Sequence, residues 1–236
     1  MSTLAVLIAI WKRPAVTAVV MRHYQRMAAA RKDLHLVAVG SEGQLSMDLA
    51  MSNGWDYVEA PNAPLSDKLA VGLARCRELA PSAGLLAMGS DDLVTETWVE
   101  RCARATTMQG LRDMYLISCQ TWEGLHWLGY TGARAGESVG AHRFFPRAVL
   151  DQLDWNLWPL GLTRGLDRSL SKRLASMCSV QALSMQEASC TALGIQSELN
   201  LTPWVYIARE ARSVPPDRII SQFPEATRAE IMKLRG

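Results

Sequence analysis

The apolar run Leu85-Leu86-Ala87-Met88 stops at Gly89-Ser90 and is followed at once by two carboxylates, Asp91 and Asp92. A short apolar run bounded by a turn signal reads as a buried strand. That sets both acids at its C-terminal end, where open α/β sheets collect their ligands. Adjacent carboxylates there suit Mg²⁺ or Mn²⁺, hard cations that bridge protein oxygens to substrate phosphates and neutralise charge on a departing diphosphate. The competing reading makes one acid the cap of a helix expected from about Thr95.

Other reactive side chains form weaker patterns. Trp155 and Trp158 belong to an aromatic cluster before Pro159, and indole faces stack on sugars and bases; burial in the core is the alternative. The four histidines show no HxxxH or Cys/His spacing, which argues against zinc. The five cysteines are odd in number and lack a CxxC pair, as expected of reduced thiols in a cytoplasmic protein. Neither GxSxG, GxGxxG nor GxxxxGK[ST] occurs.

The elements that must position these groups alternate. Strands are expected at Leu4 to Ile10, 34 to 40, 56 to 62 and 85 to 89. Helices are expected from Pro14 to about Arg31, over 45 to 53, from Ser66 to before Pro81, and from about Thr95 to Thr107. Such alternation over the first 110 residues implies parallel strands with crossover helices. Later, 114 to 119 reads as a strand and 120 to 140, with five glycines, as a hairpin or site loop. Arg147 to Leu153 and Asp167 to Met177 read as helices, and the residues past Pro203 as a less ordered appendage. The expected organisation is one α/β domain over 1–236, with a first half (1–110), a second half (111–200) and the appendage (201–236).

With 236 residues, 49% hydrophobic and 20% charged, the chain can bury a full core and is not intrinsically disordered. A formal charge of +2 identifies no partner. The first 32 residues nevertheless carry six basic side chains and no acid, which fits either an Arg-rich transit peptide or a helix with a solvated basic face. No run approaches the roughly 18 to 20 apolar residues that span a bilayer.

Three stretches together resemble the GT-A glycosyltransferases of the family-two type, in the form of small bacterial and phage members. LIAIWKRP looks like the family's first strand and nucleotide-binding loop, PNAPLSDKLAVGLARC like its Lys-Gly helix, and GSDD like a degenerate form of its acidic motif. The resemblance implies a GT-A (Rossmann-like) fold with a mostly parallel central sheet flanked by helices. It implies a nucleotide-diphosphate sugar donor held by Lys12, Arg13, Glu42, Lys68, Ser90, Asp91 and Asp92, with Mn²⁺ or Mg²⁺ on Asp91 and Asp92. Gly89 stands where the family has its first Asp, so the metal geometry departs from the family's pattern.

GESVGAHRFFPRAVL looks like the family's small-residue turn, where Gly140 and Ala141 let backbone approach the donor sugar, and RGLDRSLSKRL like the stretch bearing the catalytic acid. Asp167 is then the general base of an inverting transfer or a helix cap, with Asp154 in reserve; Trp155 and Trp158 would face the acceptor. His142 is the one histidine placed like the family's extra metal ligand. The acceptor could be a glycan, a metabolite or a hydroxymethylated DNA base. A nucleotidyltransferase of similar fold and a non-catalytic sugar-nucleotide or nucleic-acid binding module are the alternatives.

Overall fold

The computed structural model describes residues 2–200 and 204–235. The first half follows the expected alternation: β1 (Leu4–Ala9), α1 (Pro14–Ala30), β2 (Leu34–Gly40), α2 (Gln44–Ser52), β3 (Asp56–Glu59), α3 (Leu65–Glu78) and β4 (Gly84–Gly89). Then come β5 (Asp92–Val94), α4 (Glu96–Arg104), β6 (Gln109–Leu111), β7 (Met114–Ser118) and β8 (Gly124–Trp127). They are followed by β9 (Arg143–Pro146), α5 (Arg147–Gln152), α6 (Leu166–Leu174), β10 (Gln181–Leu183) and β11 (Ala192–Gln196). Beyond the undescribed residues lie α7 (Trp204–Ala208), β12 (Ala211–Ser213), α8 (Pro216–Ile220) and α9 (Glu225–Met232).

The chain is mixed α/β, with a central sheet ordered β10-β6-β9-β4-β1-β2-β3. Its strands β4-β1-β2-β3 are parallel, while β9 runs antiparallel between β4 and β6. Helices cover both faces, which is why β1 is apolar at every position. Leu4, Val6 and Ile8 pack into the core beneath α1 and α4, and Ala5 and Leu7 into the one beneath α3, α5 and α6.

A second sheet, β12-β8-β7-β11-β5, was not expected as a sheet, although β7 matches the strand expected at 114 to 119. Its strands are three to five residues long, too short to show a period. The stretch 120 to 140, expected as a hairpin or a site loop, contains β8, which forms a hairpin with β7.

The residues past Pro203 also differ from the expected appendage. β12 pairs with β8, and Ile219, Ile220, Phe223 and Ile231 are buried in the larger core. The basic face expected on the first helix is largely neutralised. Arg22 and Arg26 pair with Glu230 on α9, and Arg31 with Asp33.

Candidate active site

β1 and β4 are parallel neighbours in register, Ala9 opposite Gly89, so the segments leaving their C-terminal ends meet. On the β1 side, Lys12 and Arg13 both adopt left-handed backbone conformations (φ 53° and 52°) before Pro14 opens α1. On the β4 side, the chain crosses from one sheet to the other between Gly89 and Asp92. The acidic pair sits at that crossing. Each acid then faces a different environment.

Asp91 is held by Arg13. Nη1 of Arg13 donates to Asp91 Oδ2 at 2.9 Å and to Asn200 Oδ1 at 3.0 Å, and Nη2 donates to Ser90 Oγ at 3.0 Å. Asn200 Nδ2 donates to the same Asp91 Oδ2 at 2.5 Å. Both charged side chains are about 15% exposed, 15% for Arg13 and 14% for Asp91, so the pair faces the cavity without being lost to bulk water.

Asp92 is buried and folds back on the end of β4, its Oδ2 accepting the Gly89 N–H at 3.1 Å. A methyl group on Gly89 would collide with that carboxyl, which explains glycine where the family's motif has an acid. Burial and the adjacent Asp91 charge push the Asp92 carboxyl well above the usual carboxylate range. The Gly89 N–H and Arg13 pull the other way, and Asp167 adds a further push upward. His142 Nε2 lies 3.9 Å from Asp92 Oδ1, beyond hydrogen-bond length, and burial pushes the ring down to about 3, leaving it neutral.

Lys68, in the first turn of α3, is fully buried. Its ammonium donates to Ile10 O (2.6 Å), Ser41 Oγ (3.0 Å) and Asn62 Oδ1 (3.1 Å), tying together the segments after β1, β2 and β3. Burial pulls it down to about 8, with Glu42 opposing. Glu42 is exposed and its Oε2 accepts the Lys12 N–H at 2.7 Å, so it braces the left-handed turn ahead of Arg13. Lys12 lies over the Trp11 ring, 4.5 Å from its centroid.

A cavity of about 660 Å³ opens where these segments converge. Trp11, Arg13, Lys68, Ser90, Asp91 and Asp92 line one side, and Trp127, Tyr130, Gly140 and Ala141 the other. Asp167 lies in the first turn of α6 with its carboxylate against Gly140, so close that a methyl group there would overlap it. Tyr130 O–H donates to Asp167 Oδ2 at 3.4 Å, and the Tyr130 ring carries the Arg134 guanidinium on one face, 3.5 Å from its centroid.

Thus Arg13, Lys68, Ser90, Asp91, Asp92, Gly140 and Ala141 line the cavity, whereas Lys12 and Glu42 brace the turn ahead of Arg13 and Asp167 meets the lining through Gly140. Trp155 and Trp158 are not among the cavity's residues. They are buried in the core beneath α5 and α6, where apolar packing claims both rings. Asp154 is exposed and pairs with Arg77. Sequence reasoning passed over Asn200, Trp11, Trp127 and Tyr130. Trp127 and Tyr130 fall in the stretch read as aperiodic, and no local pattern ties Asn200 to Asp91, 109 residues away.

For a divalent ion on Asp91 and Asp92, the Oδ2 atoms are already engaged: that of Asp91 receives Arg13 and Asn200, and that of Asp92 the Gly89 N–H, while no group of three or more His, Cys, Asp or Glu suited to a metal occurs among the described residues.

No family model and no curated protein matches the chain. Solved structures match at low identity. A 4-diphosphocytidyl-2C-methyl-D-erythritol synthase shares 14% identity, covering 89% of this chain and 97% of that one, with a TM-score of 0.54. TarS 1–349 of S. aureus shares 10% over 83% of this chain and 58% of that one (TM-score 0.50). The mannosyltransferase PcManGT from Pyrobaculum calidifontis, in complex with GDP-Man and Mn²⁺, shares 13% over 99% of this chain and 70% of that one (TM-score 0.55). What these likenesses establish is the architecture, an α/β chain with a central sheet flanked by helices that matches GT-A-like, Rossmann-like proteins.

Proposed function

We propose that the protein is a glycosyltransferase that moves a sugar from a nucleotide-diphosphate sugar to an acceptor hydroxyl. The observation that carries this reading is the cavity lined by Arg13, Ser90 and Asp91 and by Gly140, against which the Asp167 carboxylate is seated. The lining offers a guanidinium and a hydroxyl to a diphosphate, and Asp167, beside Gly140, a carboxylate to an attacking hydroxyl. The exposed Trp11 face beside Arg13 suits a nucleobase. Lys68 and Glu42 shape the donor pocket through the backbone they hold. Gly140 and Ala141 leave room for the donor sugar, as the resemblance to family-two enzymes implies.

In an inverting transfer, Asp167 takes the acceptor proton while the acceptor oxygen attacks the anomeric carbon. Trp127 and Tyr130, edge to face at 5.1 Å between centroids, offer the acceptor an aromatic wall. A DNA base as acceptor finds no support in the N-terminal helix, whose arginines are paired with acids. A glycan or metabolite hydroxyl fits the aromatic wall better. No described helix is long and apolar enough to cross a membrane.

A thermal-shift panel of UDP-glucose, GDP-mannose, ADP-glucose and dTDP-glucose tests the reading, because a ligand bound only by the folded state raises the melting temperature. At least one donor should do so and be turned over to free nucleoside diphosphate. A chain that ignores every donor but releases pyrophosphate from a nucleoside triphosphate would be the nucleotidyltransferase instead. Binding without turnover against any acceptor would favour the non-catalytic module.

A further inference from the structure

The place where a divalent ion would meet Asp91 is taken by a side chain of the protein itself. The plane of the Arg13 guanidinium is fixed by Asp91, Ser90 and Asn200 through contacts of 2.9 to 3.0 Å. Two successive left-handed residues, an unfavourable backbone for Lys and Arg, deliver it there, and Glu42 holds the turn from outside. A metal ion on Asp91 Oδ2 would have to evict both Arg13 and Asn200, and Oδ1 already faces Arg13 Nη2 at 3.5 Å. Asp92 has its Oδ2 folded onto the Gly89 N–H. Among the described residues, Nε–H of Arg13 has no acceptor, so the fork keeps donor capacity for a ligand.

We propose that the Arg13 guanidinium is the resident cation of this site, binding the donor diphosphate directly so that neither donor binding nor turnover requires a divalent metal. This rests on the reading of the cavity as a nucleotide-sugar site. Asp91 and Asn200 are then positioning residues that aim the fork, and not metal ligands. Guanidinium suits the task because it stays protonated and keeps its Nε–H for a phosphate oxygen while the Nη groups hold it in place. In the transfer, the bond from the anomeric carbon to the β-phosphate oxygen breaks and its electron pair leaves on the nucleoside diphosphate. The acceptor oxygen forms the new bond to that carbon, and its proton passes to Asp167. Arg13 keeps all its protons and hydrogen-bonds the departing diphosphate.

The test measures melting temperature and nucleoside diphosphate release for the full chain with the four donors, in EDTA and in MnCl₂. For the wild type, the donor-induced shift and the turnover in EDTA should match those in Mn²⁺ within about twofold. Arg13→Ala should lose the shift in EDTA, and Arg13→Lys, which keeps charge but not the fork, should recover only part of it. Asn200→Asp, which sets a second carboxylate beside Asp91, should acquire a Mn²⁺-induced shift without any donor, a readout that a merely structural asparagine would not give. Should Arg13→Ala prove unfolded without ligand, the Arg13→Lys and Asn200→Asp arms decide.

A wild-type shift seen only with Mn²⁺ would overturn the inference and leave the glycosyltransferase reading standing. So would an EDTA shift that survives Arg13→Ala. Absence of any shift with or without Mn²⁺ would remove both.

Discussion

A methyl group on Gly140 would occupy the space that the Asp167 carboxylate fills, so one hydrogen atom at position 140 sets where the proposed base sits. Gly140→Ala should displace Asp167 and lower kcat, while Asp167→Asn, which cannot take a proton, should lower it by about 10²- to 10⁴-fold. In Asp167→Asn the donor-induced melting shift should persist, because the Arg13 contacts are untouched; parallel kcat and thermal-shift measurements check this. Such residues divide by how far their chemistry can be seen locally. Asp91, Asp92 and Arg13 are legible because each follows the end of a recognisable apolar strand. Asn200 is not, since only the folded chain brings it to Asp91. Trp155 and Trp158 show the converse: a conspicuous residue type whose neighbours on the helical and strand faces bury it.

Among elements, the long strands and helices of the first half declare themselves by period, whereas the strands of the second sheet are stabilised by pairing partners far along the chain. Where elements join, polar groups fix the seams. Replacing Lys68 by Met should strand the Ile10 carbonyl, Ser41 and Asn62 without their donor. The expected cost is about 1–3 kcal/mol, read by urea unfolding.

The α1–α9 seam carries a pH dependence. His23 is buried between Thr227 Oγ1 (3.0 Å) and Val94 O (2.8 Å), and burial pulls it down to about 4 from its ordinary 6.5, with the Val94 bond opposing. Between those values the unfolded chain binds the proton and the folded one does not, so this contribution to stability falls as pH drops from 6.5 towards 4. The slope from this one group is at most about 1.4 kcal/mol per pH unit. His23→Gln should flatten that part of the pH–stability curve in urea titrations at pH 4.5, 5.5 and 6.5.

For the whole molecule, the two sheets share the proposed donor cavity, which the Gly89-to-Asp92 crossing and Gln196 at the end of β11 both line. A donor bound there should therefore slow amide exchange at 89–94, 139–141 and 194–200 together. The amides of α9, which packs against α1, should be unaffected. Protection confined to the first-sheet segments would mean that the ligand does not bridge the sheets.

The pairing of β12 with β8 has one more outcome. Ala211 to Ser213 fill the hydrogen-bonding positions opposite Leu125 to Trp127. A chain cut after Arg209 would leave that ribbon unzipped and the greasy flank that welcomes Ile219, Ile220 and Phe223 bare. Its molecules should then stick to one another, and size-exclusion profiles should drift to larger species as concentration rises.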